Sequence, residues 1–226
     1  MRLLGVLGRR VSSGYHLDPA KIVALYHFDT DYNDSSPNAR HLTTAGQISI
    51  DSSVKKFGDG AMRLDLRVGN GLTGAYAKAD NVFNFGNKRP FTISYWLSKT
   101  VTEPSIPVFK TTTTLNEFTA IYLACENTIF RNDNFSAVVA TPQLTGQDLP
   151  INNIVVVGDG TNIKVYVNGI IKGTFAHPNW PSQLYPLFFG YQVDGNISNY
   201  TVDEFLLYDG VLWTANFTPP TLPFSV

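Results

Sequence analysis

Two short turn sequences constrain the fold of this chain most strongly. VGDGTNIKV turns at Asp159-Gly160, and VYVNGIIKG turns at Asn168-Gly169. An Asn-Gly pair supplies the two positive φ values that a type I′ turn needs, and such a turn joins adjacent antiparallel strands. We therefore predict three consecutive antiparallel strands around these two turns.

Further segments predict strands of the same kind. Gly, Asn, Asp and Pro separate most of the apolar runs, and no segment shows the period and caps of an amphipathic helix. Many short strands with regular turns indicate an all-β sandwich or barrel. FTISYWLSK alternates most clearly, with Phe91, Ile93, Tyr95 and Leu97 on one face and Thr92, Ser94, Trp96 and Ser98 on the other. The other runs are KIVALYHF, AMRLDL, FTAIYLACE, FSAVVAT, NIVVVGDG, NIKVYVNG, IIKGTF, LYPLFFGY and YTVDEFLLYD.

The length of 226 residues suits one large all-β domain. We predict a basic N-terminal anchoring arm over residues 1–20, a sandwich over 21–217 and a Pro-rich tail over 218–226. The arm has no acidic residue before Asp18, so a mitochondrial transit peptide is the alternative interpretation. The ending FTPPTLPFSV cannot join a central strand, because proline lacks the backbone N–H donor.

Composition narrows the functional classes. Charged residues make up 15% and aromatic residues 13% of the chain, which is typical of a folded globular protein. A net charge of −1 argues against nucleic-acid binding. No apolar run approaches the roughly 20 residues that cross a bilayer, so we predict no membrane span. The single cysteine, Cys125, suits folding in a reducing cytoplasm and is predicted to be a small buried side chain.

The acidic stretch over residues 26–41 raises the question of a calcium site. Asp29, Asp31 and Asn33 match positions 1, 3 and 5 of an EF-hand loop. Position 6 should be glycine and is Asp34, and position 12 should be glutamate and is Arg40, so an EF-hand is rejected. Two interpretations stay open. The stretch is either a looser calcium site or a turn whose aspartates cap their own backbone.

Enzyme motifs are missing. GNGLTG at residues 69–74 matches a dinucleotide fingerprint, but no helical period follows it, so we interpret it as a surface loop. A glycoside hydrolase needs two carboxyl groups held roughly 5 to 10 Å apart. Asp203 and Glu204 are adjacent, so strand alternation predicts that they point to opposite faces. The chain is therefore predicted not to be an enzyme.

Five motifs follow one another in an order that resembles a known family. They are ALYHFD together with residues 34–44, then SSVKKFGDGAMRLD, FTISYWL, NIKVYVNGIIKGT and VDEFLLYDGVLWTANFTPP. This order resembles laminin-G-like, concanavalin A-like domains, in particular those of bacteriophage and prophage virion proteins, over nearly the whole chain from Ile22 onward. The resemblance implies a jelly-roll sandwich of two antiparallel sheets, one of them concave, with a binding or structural role.

The resemblance also implies candidate sites. In related domains a calcium ion lies near the loop after the first strand and the last strand, and the matching positions here are Asp29, Asp34 and Asp203. This chain has Pro37-Asn38 where the family often has glycine. The basic arm would dock onto neighbouring virion subunits, with Arg2, Arg9 and Arg10 as its charged residues.

Tryptophans are the candidates for sugar binding, because aromatic rings stack on the apolar faces of sugars. Trp96 shares its predicted strand face with polar residues, and Trp180 lies in the Pro-flanked loop AHPNWPSQ. The alternatives are that Trp96 belongs to the core or lies under a loop, and that Trp180 anchors its own loop or an interface.

Three functions follow from these observations. The first is a bacteriophage virion structural protein, namely a capsid decoration, fibre or tail adhesin subunit. Such a protein is assembled in the host bacterial cytoplasm, located in the virion and bound to other virion subunits, with a homotrimer as the expected oligomer. The second is a stand-alone carbohydrate-binding lectin module, with calcium as its possible cofactor. The third is a glucanase-like glycoside hydrolase.

Overall fold

A computed structural model describes residues 15, 17–65, 75–99, 107–110, 120–124, 128–132, 135–139, 151–190 and 199–226 of the chain. Arg2, Arg9 and Arg10 of the predicted docking arm, the stretch 69–74 and Cys125 lie outside these residues. Within them, no helix is long and apolar enough to cross a membrane.

The described residues form strands and one 3-10 turn at Pro19–Lys21. The strands are β1 (Ile22–Tyr26), β2 (Thr43–Ala45), β3 (Ile48–Asp51), β4 (Ala61–Asp65), β5 (Tyr76–Phe83), β6 (Phe91–Lys99), β7 (Pro107–Lys110), β8 (Ala120–Ala124), β9 (Thr128–Asn132), β10 (Phe135–Val139), β11 (Asn152–Gly158), β12 (Asn162–Val167), β13 (Ile170–Ala176), β14 (Tyr185–Gly190) and β15 (Asn199–Tyr208).

These strands build two antiparallel sheets. The first sheet has the order β13-β12-β11-β6-β15-β4-β3, and β1 pairs with the second half of β15. The second sheet has the order β10-β9-β8-β7-β14-β5-β2. The prediction of an all-β sandwich of two antiparallel sheets is confirmed.

The two turns that constrained the fold are hairpin turns. Asn168 has φ 50° and Gly169 has φ 77°, the pair of positive values that the type I′ turn requires between β12 and β13. Between β11 and β12, Gly160 has φ 89°. There, Oδ1 of Asp159 accepts hydrogen bonds from two following backbone amides, at 2.9 and 2.6 Å. Three consecutive antiparallel strands result.

The main core lies between the two sheets, where alternate side chains of β6 meet those of β14. At its centre, Phe189 of β14 contacts Phe205 edge-to-face, with ring centroids 4.9 Å apart. Tyr26 and Phe28 stack at 5.7 Å. All four rings are buried, and edge-to-face geometry adds to the hydrophobic stabilisation of such pairs. The Tyr26 hydroxyl still finds a partner, donating to the Arg40 carbonyl at 2.6 Å.

A second apolar cluster covers part of the outer face of the first sheet. Its cover is the segment 211–226, which we call the C-terminal strap. In the strap, Trp213 stacks on Phe217 with centroids 4.3 Å apart. Because this cluster packs on β11, that strand is buried on both faces, which explains why NIVVVG is a continuous apolar run. The cluster contains Leu17, Ile22, Leu25, Val155, Val157, Tyr166, Leu206, Tyr208, Trp213 and Phe224.

Hydrogen bonds fix the strap in place. The Phe217 backbone N–H donates to the Gly169 carbonyl at 2.9 Å. Near the start of the described chain, the Tyr15 hydroxyl donates to the Thr218 carbonyl at 2.6 Å. A Cβ atom at position 169 would overlap the Phe217 carbonyl, so glycine is required there both for its φ and for this close approach.

Candidate functional site

The outer face of the first sheet carries two of the predicted site residues, Trp96 and Asp203. Thr92 and Trp96 of β6 point to this face, because the alternating residues Ile93 and Tyr95 belong to the core between the sheets. The start of the strap covers Thr92. Its Oγ1 donates to the Gly210 carbonyl at 2.7 Å and accepts from the Leu212 amide at 3.1 Å. The loop 52–60 covers a second part of the face.

Trp96 lies under the loop 52–60. The Lys56 Nζ atom is 4.3 Å from a Trp96 ring centroid, and Phe57 meets the indole edge-to-face at 5.9 Å. Only 4% of Trp96 is exposed. Its ring therefore offers no open face on which a sugar could stack, and its position matches the alternative interpretation of cover by a loop.

Trp180 is likewise buried, with 3% exposed. Its ring packs against Phe85 at 5.8 Å, His177 at 5.1 Å and Phe91 at 6.3 Å. Burial lowers the pKa of His177. Trp180 thus anchors its own loop onto the core, and the structure places it away from Trp96, which packs against Lys56 and Phe57.

Asp203 holds the loop 52–60 onto the sheet. Its Oδ2 atom accepts hydrogen bonds from the Lys56 amide at 2.6 Å and the Phe57 amide at 3.1 Å. The residue is 0% exposed, and Oδ1 has no hydrogen-bond partner in the described structure. Burial raises the pKa of Asp203 to about 6, although the two backbone amides lower it.

Glu204 follows in a bulge of β15 that shifts the register between Asp203 and Leu206. Its φ is 50°, and its Oε1 atom lies 2.8 Å from Nδ1 of His27. The hydrogen bond to Glu204 raises the pKa of His27, whereas burial raises the pKa of Glu204. We predicted opposite faces for Asp203 and Glu204 from strand alternation, and the bulge interrupts this alternation. The two carboxyl groups interact electrostatically, and the charge of Glu204 helps to raise the pKa of Asp203.

Asp34 caps its own loop. Its Oδ1 atom accepts from the amides of Leu25 at 2.9 Å and Ser36 at 2.8 Å. Its Oδ2 atom accepts from the Ser36 hydroxyl and the Arg40 amide, both at 2.8 Å. These four donors occupy the roughly four lone-pair sites of a carboxylate. The geometry is that of the backbone-capping interpretation.

Asp29 also holds the loop 52–60, since its Oδ1 atom accepts from the Asp59 amide at 2.8 Å. Of the three predicted calcium ligands, Asp29 and Asp203 therefore bind backbone amides of this one loop, whereas Asp34 binds Ser36 and Arg40 of its own loop. Across the parts of the chain that the structure describes, no group of three or more His, Cys, Asp or Glu side chains could hold a metal ion.

An open groove of about 580 Å³ lies at the β3 edge of the first sheet. Residues 47–53 and Arg63 line it, and we call it the β3 groove. Asp51 and Arg63 form an ion pair there, with Oδ2 and Nη1 3.1 Å apart. Hydrogen bonds from the Ser53 amide at 2.7 Å and hydroxyl at 2.5 Å help to lower the pKa of Asp51.

Sequence reasoning missed this groove because it did not assign β3 as a strand. The available signal was the alternation of Ile48 and Ile50 with Ser49 and Asp51. In the structure, Ile48 and Ile50 pack against the main core. The register then places Ser49 beside Arg63 in one row across the sheet.

Comparison with solved structures shows likeness to bacterial binding domains. The binding domain of Paraclostridial Mosquitocidal Protein 1 matches 86% of this chain with a TM-score of 0.65 and 14% identity. The binding domain of botulinum neurotoxin DC, in complex with rat synaptotagmin II, matches 86% with a TM-score of 0.65 and 12% identity. This chain spans 50% of the length of each of these two domains.

Domain 4 of AbnA, an extracellular arabinanase of Geobacillus stearothermophilus in complex with arabinotriose, is matched over nearly its full length. The match covers 84% of this chain and 93% of that domain, with a TM-score of 0.58 and 17% identity. No protein-family model and no curated protein sequence matches the chain. At these identities the likeness shows the fold alone, a sandwich of two antiparallel sheets.

Proposed function

We propose that this chain is a non-catalytic binding module that recognises carbohydrate on a biological surface. One observation carries the proposal. The chain shares its sandwich with nearly the full length of an arabinanase domain whose structure is in complex with arabinotriose. The toxin binding domains of the same fold support a recognition role more broadly. Fold likeness alone does not fix function, so the ligand has to be tested directly.

The environment of the carboxyl groups supports a non-catalytic role. Asp203 and Glu204 are 0% and 1% exposed. Each also has a structural partner, since Asp203 holds the loop 52–60 and Glu204 pairs with His27. A glycosidase needs its two carboxyl groups to flank a bound sugar and to reach water, which this buried arrangement does not favour.

A virion is the setting that we propose for the module. The support is the order of five sequence motifs, which resembles that of bacteriophage and prophage virion proteins. In this setting the chain would be a decoration, fibre or tail adhesin subunit, docked through Arg2, Arg9 and Arg10. Several copies on one particle would strengthen binding to a repeated surface glycan, because linked sites raise the effective concentration.

A glycan array tests carbohydrate recognition. The full chain, biotinylated and made multivalent on streptavidin, is applied with and without EDTA, and streptavidin alone is the control. We expect binding to at least one class of glycan in both conditions. Absence of binding to every glycan in both conditions would contradict the proposal.

Particle fractionation tests the virion setting separately. We expect the chain to copurify with phage particles from the bacterium that encodes it, and deletion of residues 1–20 to abolish incorporation. A deletion variant that is incorporated normally would refute docking through the arm, without affecting carbohydrate recognition.

A further inference from the structure

We propose that the β3 groove is the carbohydrate subsite of this module and that it takes a short neutral oligosaccharide with neighbouring hydroxyl groups. This inference rests on the proposed carbohydrate-binding function and names its site. Neither tryptophan that the sequence suggested contributes to it, since both rings are buried elsewhere.

The shape of the groove suits such a ligand. Its lining is continuous along the edge strand, because residues 47–53 follow one another and Arg63 of the neighbouring strand β4 completes it. Its volume of about 580 Å³ falls within the range of roughly 300 to 1,000 Å³ typical of small-molecule sites. An open groove at a sheet edge admits a chain of sugars lying along the strand.

Asp51 is the central polar group of the groove. Three donors hold its carboxylate, namely the amide and hydroxyl of Ser53 and Nη1 of Arg63. A carboxylate has roughly four lone-pair sites, so one site on Oδ2 is left to accept a hydroxyl from the ligand. Asp51 is ionised at neutral pH, since its pKa lies below the ordinary value of 3.8, and an ionised acceptor forms the stronger hydrogen bond.

Other polar side chains extend the recognition surface. Ser49 lies beside Arg63 in the register of β3 and β4. Gln47 and Ser52 also line the groove. Hydroxyl and amide groups both donate and accept hydrogen bonds. They can therefore pair with sugar hydroxyl groups, which also donate and accept.

The charge of the groove favours a neutral ligand. The Asp51 carboxylate lies 3.1 Å from the Arg63 guanidinium, so the two charges compensate each other locally. An acidic sugar would be attracted by Arg63 and repelled by Asp51, so it would gain little to offset the loss of its own hydration.

The lining also argues for sugar over peptide. Its two apolar residues, Ile48 and Ile50, pack against the main core. Peptides that add to a sheet edge use pockets for alternate side chains. The lining residues offer hydroxyl, amide and charged groups instead. Because none of them has an aromatic ring on which a sugar could stack, a single groove is expected to bind its sugar weakly.

Titration by nuclear magnetic resonance tests the site on the full chain. The probes are arabinotriose, maltotriose and cellotriose as neutral sugars and trigalacturonate as an acidic sugar, followed by the strongest neutral hit of the glycan array. We expect a neutral probe to shift the amide signals of residues 47–53. Asp51→Asn should weaken its binding about tenfold, as expected for the loss of a hydrogen bond to a charged group.

Asp209→Asn is the matched control, because Asp209 pairs with Arg89 in another Asp–Arg ion pair outside the groove. We expect it to bind like the wild type. If Asp51→Asn does not fold, the location of the amide signals that shift in the wild type shows whether the sugar binds in the β3 groove.

The outcomes separate the two proposals. Binding with signals shifted elsewhere, or binding that Asp51→Asn leaves unchanged, would overturn the β3 groove while carbohydrate recognition stands. Preference for trigalacturonate would overturn neutral selectivity. Failure to bind any probe or any array glycan would refute the proposed function itself.

Discussion

Replacing Asp203 with asparagine is expected to stabilise the folded chain above about pH 6. Asp203 is fully buried, and burial raises its pKa from 3.8 to about 6. One pKa unit corresponds to about 1.4 kcal/mol, so this shift corresponds to roughly 3 kcal/mol. Because the folded state binds the proton more tightly than the unfolded state, ionised Asp203 destabilises the fold. This destabilisation is present above about pH 6 and is relieved as the pH falls toward 3.8.

Asparagine resembles the neutral carboxylic acid in shape and keeps one acceptor oxygen for the amides of Lys56 and Phe57. We therefore expect Asp203→Asn to raise the free energy of unfolding by about 1 to 3 kcal/mol at pH 8. At pH 4.5 the gain should shrink to about 1 kcal/mol, because Asp203 is then mostly protonated in the folded state.

Urea unfolding at pH 4.5, 6 and 8, followed by tryptophan fluorescence, measures this difference. Asp80→Asn is the matched control, because the Asp80 side chain is 65% exposed, and we expect little change from it. An Asp203→Asn variant that is less stable than the wild type at pH 8 would refute the reasoning. An equal gain in the free energy of unfolding at pH 4.5 and at pH 8 would also refute it.

Three further substitutions test other parts of the structure. Gly58→Ala should cost about 2 kcal/mol or more in thermal or urea unfolding, because Gly58 has φ 55° and an added Cβ would overlap the Asp29 carboxylate; unchanged stability would contradict this contact. Trp213→Ala should cost about 3 to 5 kcal/mol, since it removes the ring that stacks in the strap; a loss below about 1 kcal/mol would show that the strap contributes little. Asp34→Ala should lower the free energy of unfolding by at least about 3 kcal/mol, because it leaves four donors without their acceptor. Calorimetric titration with calcium should give no heat with either the wild type or Asp34→Ala. Heat with the wild type alone would support a calcium site at Asp34.

The pH dependence of the wild type follows from the same groups. The hydrogen bond to Glu204 raises the pKa of His27, so its contribution to stability is present below the unfolded value of about 6.5 and is lost as the pH rises through the folded value. The raised pKa of Glu204 acts in the same direction. The lowered pKa values of Asp51 and Asp159 act oppositely below about pH 4. The lowered pKa of His177 also acts oppositely, since its contribution to stability is lost as the pH falls through about 6.5.

The fold could be predicted because its signals are local. A positive φ at Asn168-Gly169 and the alternation along β6 depend on residues close together in sequence, and both determine which strands pair. The continuous apolar run of β11 was informative as well, although its cause, a strap that covers the outer face, involves residues far along the chain.

The candidate site could not be predicted because it depends on contacts distant in sequence. The exposure of Trp96 is decided by Lys56 and Phe57, which reach it only because Asp203 binds their amides. The bulge at Glu204 interrupts the strand alternation that would otherwise orient the carboxyl groups of Asp203 and Glu204, and no pattern in the neighbouring sequence predicts this bulge. The β3 groove needs the pairing of Asp51 with Arg63 across two strands.

The hydrogen bond between Tyr15 and Thr218 has a consequence for how this domain can be attached to other polypeptides. It joins the first described residue to the strap near the other end of the fold, with donor and acceptor 2.6 Å apart. Neighbouring ends favour insertion of a domain into a surface loop of a host protein, because the host chain needs little separation to accommodate it. Junctions at Tyr15 and close to Thr218 would therefore start near each other, so that a single loop of a recombinant scaffold could carry the sandwich.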